Sequence, residues 1–71
     1  MDAAEFLRKV RRYARANGLR VELDASQGKG SHAMLYLGAR RTVVTLHAGR
    51  DIRKGLLHSM LKDLGLTMRD L

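Results

Sequence analysis

The stretch Gly28-Lys29-Gly30-Ser31-His32 gathers a cation, a hydroxyl and an imidazole between glycines that allow a backbone to approach a ligand closely. Histidine is the residue type that moves protons near neutral pH. Cutting RNA needs such a group, to take a proton from a 2′-hydroxyl or give one to a leaving oxygen. His32 is the candidate here, as base or as acid, and the plainer alternative is a surface histidine bonded to a neighbouring strand. Lys29 is the nearest cation for charge developing on a phosphorane-like transition state, with Arg40 and Arg41 further along the chain. All three are alternatively simple holders of an RNA backbone through salt-sensitive phosphate contacts.

Other chemistries fit less well. The glycine spacing matches neither the Gly-x-x-x-x-Gly-Lys-Ser/Thr phosphate loop nor the Gly-x-Gly-x-x-Gly dinucleotide fingerprint. Ser31 and His32 are neighbours on a predicted strand, where their side chains diverge, which argues against a triad hydrolase. The chain has no cysteine, no His-x-x-x-His pair and no paired-carboxylate spacing, so neither a metal site nor a cofactor is expected. His47 and His58 are the remaining imidazoles; His47 is a possible neighbour of His32, and His58 reads as structural or solvent-exposed.

The elements that must position these groups are legible from periodicity. Asp2 and Glu5 have capping-box spacing, and Phe6, Leu7, Val10 and Ala14 recur at helical intervals, predicting a helix over residues 3–16 that stops at Asn17-Gly18. Its other face carries Arg8, Arg11, Arg12 and Arg15, with Lys9 at the flank. That face is either a solvated surface or one that meets phosphate or an acidic protein. Residues 19–24 alternate as an edge strand, and 25–30 form a small-residue loop. Residues 31–37 alternate again, placing Ala33, Leu35 and Leu37 on one side and His32, Met34 and Tyr36 on the other. Gly38-Ala39 with Arg40-Arg41 supplies a hairpin turn, and residues 42–47 return as a β-branched strand with Val44 and Leu46 toward the core. After a polar connection over residues 48–53, Leu56, Leu57, Met60, Leu61 and Leu64 make the apolar stripe of a helix over residues 54–64. Gly65 closes that helix, and Thr67 with Asp70 caps one further turn.

The order helix, strand, strand, strand, helix predicts a small α+β fold, a three-stranded antiparallel sheet with both helices on one face. The opposite face stays open and carries His32, Met34, Tyr36, Thr45 and His47. Tyr36 either stacks an unpaired base there or packs against Met34.

The 71 residues carry 14 Lys+Arg against 7 Asp+Glu, a net charge of +7, with 45% hydrophobic residues. A chain this short buries only about 60% of its unfolded surface, so one domain spanning residues 1–71 is expected. The hydrophobic content is too high for a disordered basic tail. The charge points to a polyanionic partner, nucleic acid first and acidic protein second. Only 4% of residues are aromatic, which excludes an extended base-stacking platform. No apolar run reaches the roughly 20 residues of a membrane span, and no secretory leader is apparent. A soluble cytoplasmic protein without a membrane partner is the expectation, and the lack of cysteine fits a reducing compartment.

The sequence also resembles a known family. Gly28-Lys29-Gly30-Ser31-His32, then Val44-Thr45-Leu46-His47, then the run from Lys54-Gly55-Leu56-Leu57 to Leu64-Gly65-Leu66-Thr67 resemble, in order and spacing, the HicA toxins. These are small messenger-RNA endoribonucleases of type II toxin–antitoxin systems. The chain departs from the family pattern at Thr45, where many members have proline, and at Gly55-Leu56-Leu57-His58, where they have Gly-Thr-Leu-Arg. The resemblance implies a fold like that of double-stranded-RNA-binding domains, His32 as the catalytic residue, and a HicB-type antitoxin that covers the RNA-cleaving surface. Only His32 carries over from the family; on their own chemistry Lys29, Ser31, Tyr36, Arg40 and Arg41 are expected to contact RNA, and Arg8, Arg11, Arg12 and Arg15 to meet the antitoxin. The toxin alone is expected to be a monomer, with a higher-order complex forming around the antitoxin. The competing readings are a non-catalytic basic RNA-binding module and a purely protein-binding domain.

Overall fold

In the computed structural model, which describes residues 1–27, 31–46 and 49–71, the first helix α1 (Ala3–Ala16) begins as its capping residues dictate. The Asp2 carboxylate accepts the Glu5 amide at 2.9 Å, satisfying one of the orphan donors of the first turn. Glu5 itself lies 3.4 Å from Lys9 Nζ, one turn on. The helix ends in a Schellman motif. Gly18 takes φ +64, and the Leu19 N–H donates to the Ala14 carbonyl at 2.8 Å.

That engagement of Leu19 explains why the first strand is shorter than the alternation predicts: β1 runs Val21–Asp24, and Leu19 lies outside it, 40% exposed. Where a plain loop was expected, residues 25–27 form a single 3₁₀ turn, and the Asp24 carboxylate accepts the Ser26 amide at 2.9 Å. Strands β2 (His32–Leu37) and β3 (Arg40–Thr45) complete an antiparallel sheet in the order β1-β2-β3. Leu37 pairs with Arg40, so the hairpin loop is Gly38-Ala39 alone, with glycine at φ +58 in its first position. Arg40 and Arg41 therefore belong to β3 and not to the turn. The strand closes at Thr45; Leu46 lies just beyond and donates its N–H to the Ser31 carbonyl at 2.6 Å. The predicted extension to His47 falls outside the described residues.

Helix α2 (Lys54–Leu64) terminates at Gly65, whose φ of +71 turns the chain back so that the Leu66 N–H donates to the Leu61 carbonyl at 2.8 Å. Thr67 and Asp70 then form a reciprocal capping box around a 3₁₀ turn. Phe6 and Val10 from α1, Leu35 and Val44 from the sheet and Met60 from α2 are each under 2% exposed and share one apolar cluster. Fully burying a side chain of this size contributes about 1.5–3 kcal/mol. Both helices thus cover the same face of the sheet, as the element order predicts.

Two positions depart from the expected core. Leu56 is 40% exposed and lines a cleft with Thr45 and residues 50–53, whereas Leu57 beside it packs against the core. Thr42 is only 4% exposed, and its hydroxyl donates to Asp63 Oδ2 at 2.9 Å, which joins β3 to α2. The chain start is tied to the segment before α2: Asp2 and Asp51 form an antiparallel bridge, the Ile52 N–H donates to the Met1 carbonyl at 2.8 Å, and the Met1 nitrogen donates to Asp51 Oδ1 at 3.2 Å.

Candidate functional site

His32 opens β2, and the alternation of the pleat turns it away from the core that receives Ala33, Leu35 and Leu37. Its side chain is exposed on the uncovered face of the sheet. The register sets it directly opposite Thr45, so the two side chains stand side by side on that face, with Cβ atoms about 4.5–5.5 Å apart in such pairs. Ser31 precedes the strand as a half-buried turn residue, and its carbonyl is held by Leu46. Lys29, with its flanking glycines, and His47 lie outside the described residues.

The rest of the open face follows from the ladder. Tyr36 is flanked across the sheet by Glu22 and Arg41, and Met34 by Asp24 and Val43. Val43 is 48% exposed, confirming that the helices leave this face uncovered. Tyr36 lies four residues along β2 from His32, about 13 Å at 3.3 Å per residue, so the two address different parts of a bound chain. The face is graded in charge: Glu22 and Asp24 line the β1 edge, whereas Arg41 stands on β3. A polyanion is favoured along β3 and disfavoured along β1.

The two arginines after the hairpin separate. Arg41 shares the face of His32, while Arg40 alternates with buried Thr42 and Val44 and lies on the helix side. Its guanidinium end sits against Gly65, where a built Cβ would lie 2.7 Å from Arg40 Nε. Of the five residues expected to touch RNA, the described structure brings Ser31, Tyr36 and Arg41 to the sheet surface of His32 or its margin, and places Arg40 elsewhere. His58 is exposed on α2, beside Lys62 and Thr67, as its solvent-facing reading requires.

Sequence reasoning missed a cleft next to His32. Thr45, Arg50, Asp51, Ile52, Arg53 and Leu56 line a volume of about 270 Å³. Residues 48–53 read as a polar connection; the available signal was a pair of arginines three apart immediately before a helix whose N-cap, Arg53, offers no capping oxygen.

On α1, Arg8, Arg11, Arg12 and Arg15 are all exposed and fall within one stripe, roughly 130° around the helix from its buried side at 100° per residue. They face away from the sheet. Arg12 Nη2 donates to the Leu71 main-chain oxygen at 2.7 Å, which leaves Arg8, Arg11 and Arg15 as the open positions of the stripe among the described residues.

A family model described as HicA toxin of bacterial toxin-antitoxin matches residues 7–66. The chain is also 36% identical over 58 residues, 82% of its own length and 90% of the relative's, to a protein of Pseudomonas fluorescens (strain Pf0-1) named as a probable mRNA interferase HicA. No solved structure matches the chain. The likeness to double-stranded-RNA-binding domains that the family resemblance implies is therefore not confirmed by a structural neighbour. Among the described residues, no helix is long and apolar enough to cross a membrane.

Proposed function

The chain belongs to the HicA toxin family, and from that premise we propose that it cleaves messenger RNA by phosphodiester transfer, with His32 as the proton-transfer group and a HicB-type antitoxin as its inhibitor. It is an endoribonuclease and the toxin of a toxin–antitoxin pair. The single observation that carries the assignment of His32 is its place: an exposed imidazole at the head of β2, on the uncovered sheet face, beside a cleft that bears two arginines.

The chemistry suits one imidazole and no cofactor. The 2′-oxygen forms a bond to phosphorus as the phosphorus–O5′ bond breaks. His32 accepts the proton leaving the 2′-hydroxyl, and O5′ takes up a proton from solvent. The products are a 2′,3′-cyclic phosphate and a free 5′-hydroxyl. Positioned proton transfer contributes about 10²- to 10⁴-fold, so cations near the phosphorus must supply further stabilisation of the developing charge. Arg41 and Lys29 are assigned to holding the RNA, Ser31 to the margin of the site, and Tyr36 to stacking a base downstream along β2. Arg40, packed against Gly65 on the helix side, is left out of that set.

The arginine stripe of α1 is assigned to the antitoxin, because it faces away from the sheet and offers a contiguous positive surface to an acidic partner. An antitoxin anchored there must also reach the open face to block His32. The 71 residues act as one toxin domain, in the cytoplasm, monomeric until the antitoxin binds.

The test is cleavage of a defined messenger RNA by the wild-type protein and by His32→Ala in excess chelator, with the 3′ ends identified. Cutting by wild type with cyclic-phosphate ends, and a loss of about 10²- to 10⁴-fold in the variant, is the expected result. Equal cutting by both proteins would contradict His32 as the proton-transfer group, and salt-sensitive RNA binding without any cutting would replace the proposal with the non-catalytic RNA-binding reading.

A further inference from the structure

The cleft beside His32 has a composition that the assignment of a single histidine does not use. One of its lining residues is Thr45, the direct cross-strand neighbour of His32. Arg50 and Arg53, both exposed, line it as well. Among the described residues neither guanidinium has an ion pair or a side-chain hydrogen bond. The only acidic residue in the lining, Asp51, is instead turned to the Met1 nitrogen at 3.2 Å. Two fork-shaped cations without an ion-pair partner among the described residues, in one cleft with a hydroxyl residue, suit a tetrahedral oxyanion that accepts several hydrogen bonds at once. The volume sets the size of the guest: about 270 Å³ is below the roughly 300–1,000 Å³ of sites that enclose a whole small molecule. It admits a backbone phosphate of a longer chain lying across the surface.

We infer that Arg50 and Arg53 form a phosphate seat that holds the RNA backbone next to the scissile bond and so places the 2′-hydroxyl at His32. The inference rests on the reading of His32 as the cleaving group. The seat is held in place from the chain start: the Asp2–Asp51 bridge and the bond from the Ile52 N–H to the Met1 carbonyl fix the segment that carries both arginines. Charge along the open face leads to the same place, since the acidic β1 edge repels a polyanion toward β3, Arg41 and the cleft. Arg50 and Arg53 act by positioning and by screening the phosphate charge, with no proton transfer of their own.

The experiment measures binding of a short single-stranded RNA, as a function of salt, to His32→Ala protein with and without Arg50→Gln and Arg53→Gln. Glutamine keeps most of the stem and removes the charge. Each phosphate contact on a single strand contributes about 0.7 to the slope of log affinity against log salt, so the double substitution is expected to lower the slope by about 1.4. Circular dichroism confirms that each variant is folded, and Arg8→Gln with Arg15→Gln, on the far side of α1, is expected to leave the slope unchanged. In otherwise wild-type protein the two cleft substitutions should also lower kcat/KM for RNA cleavage. A slope equal to that of the parent in folded protein, or an equal fall from the α1 substitutions, would overturn the inference. Because binding is read in the His32→Ala background, it reports on the seat even if wild-type protein proves unable to cut RNA, which would instead contradict the reading of His32.

Discussion

Between β3 and α2 the Thr42 side chain is 4% exposed, a hydroxyl in an otherwise apolar layer, and its bond to Asp63 Oδ2 is what makes the burial tolerable. Thr42→Val keeps the shape and removes the donor. A net bond of this kind contributes about 1 kcal/mol, and Asp63 lies near enough to solvent to recover water, so thermal unfolding of the variant is expected to fall by about 4–8 °C in a chain of this size. An unchanged melting temperature would show that the bond adds nothing. Alternation with Val44 and Leu46 puts Thr42 on the core side, but the bond was not legible in the sequence, because its partner lies 21 positions away. Ala33, Leu35 and Leu37 were legible, because the pleat alone alternates faces and His32 must then point the other way. Arg40 and Arg41 were not, since one residue of register decides which of them joins His32 and the two-residue loop sets that register.

At the scale of elements, the ends of the helices illustrate what local signals can and cannot carry. Gly65 ends α2 at φ +71, a conformation that costs a residue with a side chain about 1–2 kcal/mol. Gly65→Ala is expected to destabilise by that amount in urea unfolding. The clash with Arg40 adds little, because the guanidinium end can swing away, so Arg40→Ala in the same protein should restore little of the loss. Gly55, in the first turn of α2, has nothing within 4 Å of a built Cβ, and Gly55→Ala should raise stability by about 0.5 kcal/mol. Equal effects of the two substitutions would contradict the assignment of backbone conformation as the cause. Caps, turns and amphipathic stripes are encoded within a few residues, and both helices begin and end where their sequence signals indicate. The cleft is different: its walls come from the end of β3 and from residues 50–56, and only the packing of α2 and the tie from Met1 and Asp2 bring them together.

For the molecule as a whole, seven of the 14 Lys and Arg residues behind the net charge of +7 gather on two surfaces. One is the arginine stripe of α1; the other is Arg41 on the open sheet face with Arg50 and Arg53 in the adjoining cleft. The stripe faces away from the sheet and the open face lies on the sheet's other side, while exposed charges are screened beyond about 8 Å at physiological salt, so the two surfaces address a partner separately. This separation is the physical basis for giving RNA and antitoxin different primary surfaces on a chain of 71 residues. The proposed RNA path runs over the open face along β3, across His32. It is tested most directly by following backbone amide shifts of ¹⁵N-labelled His32→Ala protein during titration with a short single-stranded RNA. The largest changes are expected across residues 32–36, 41–45 and 50–53, with Arg8, Arg11 and Arg15 unaffected. Changes concentrated on the exposed face of α1, with the sheet silent, would contradict it.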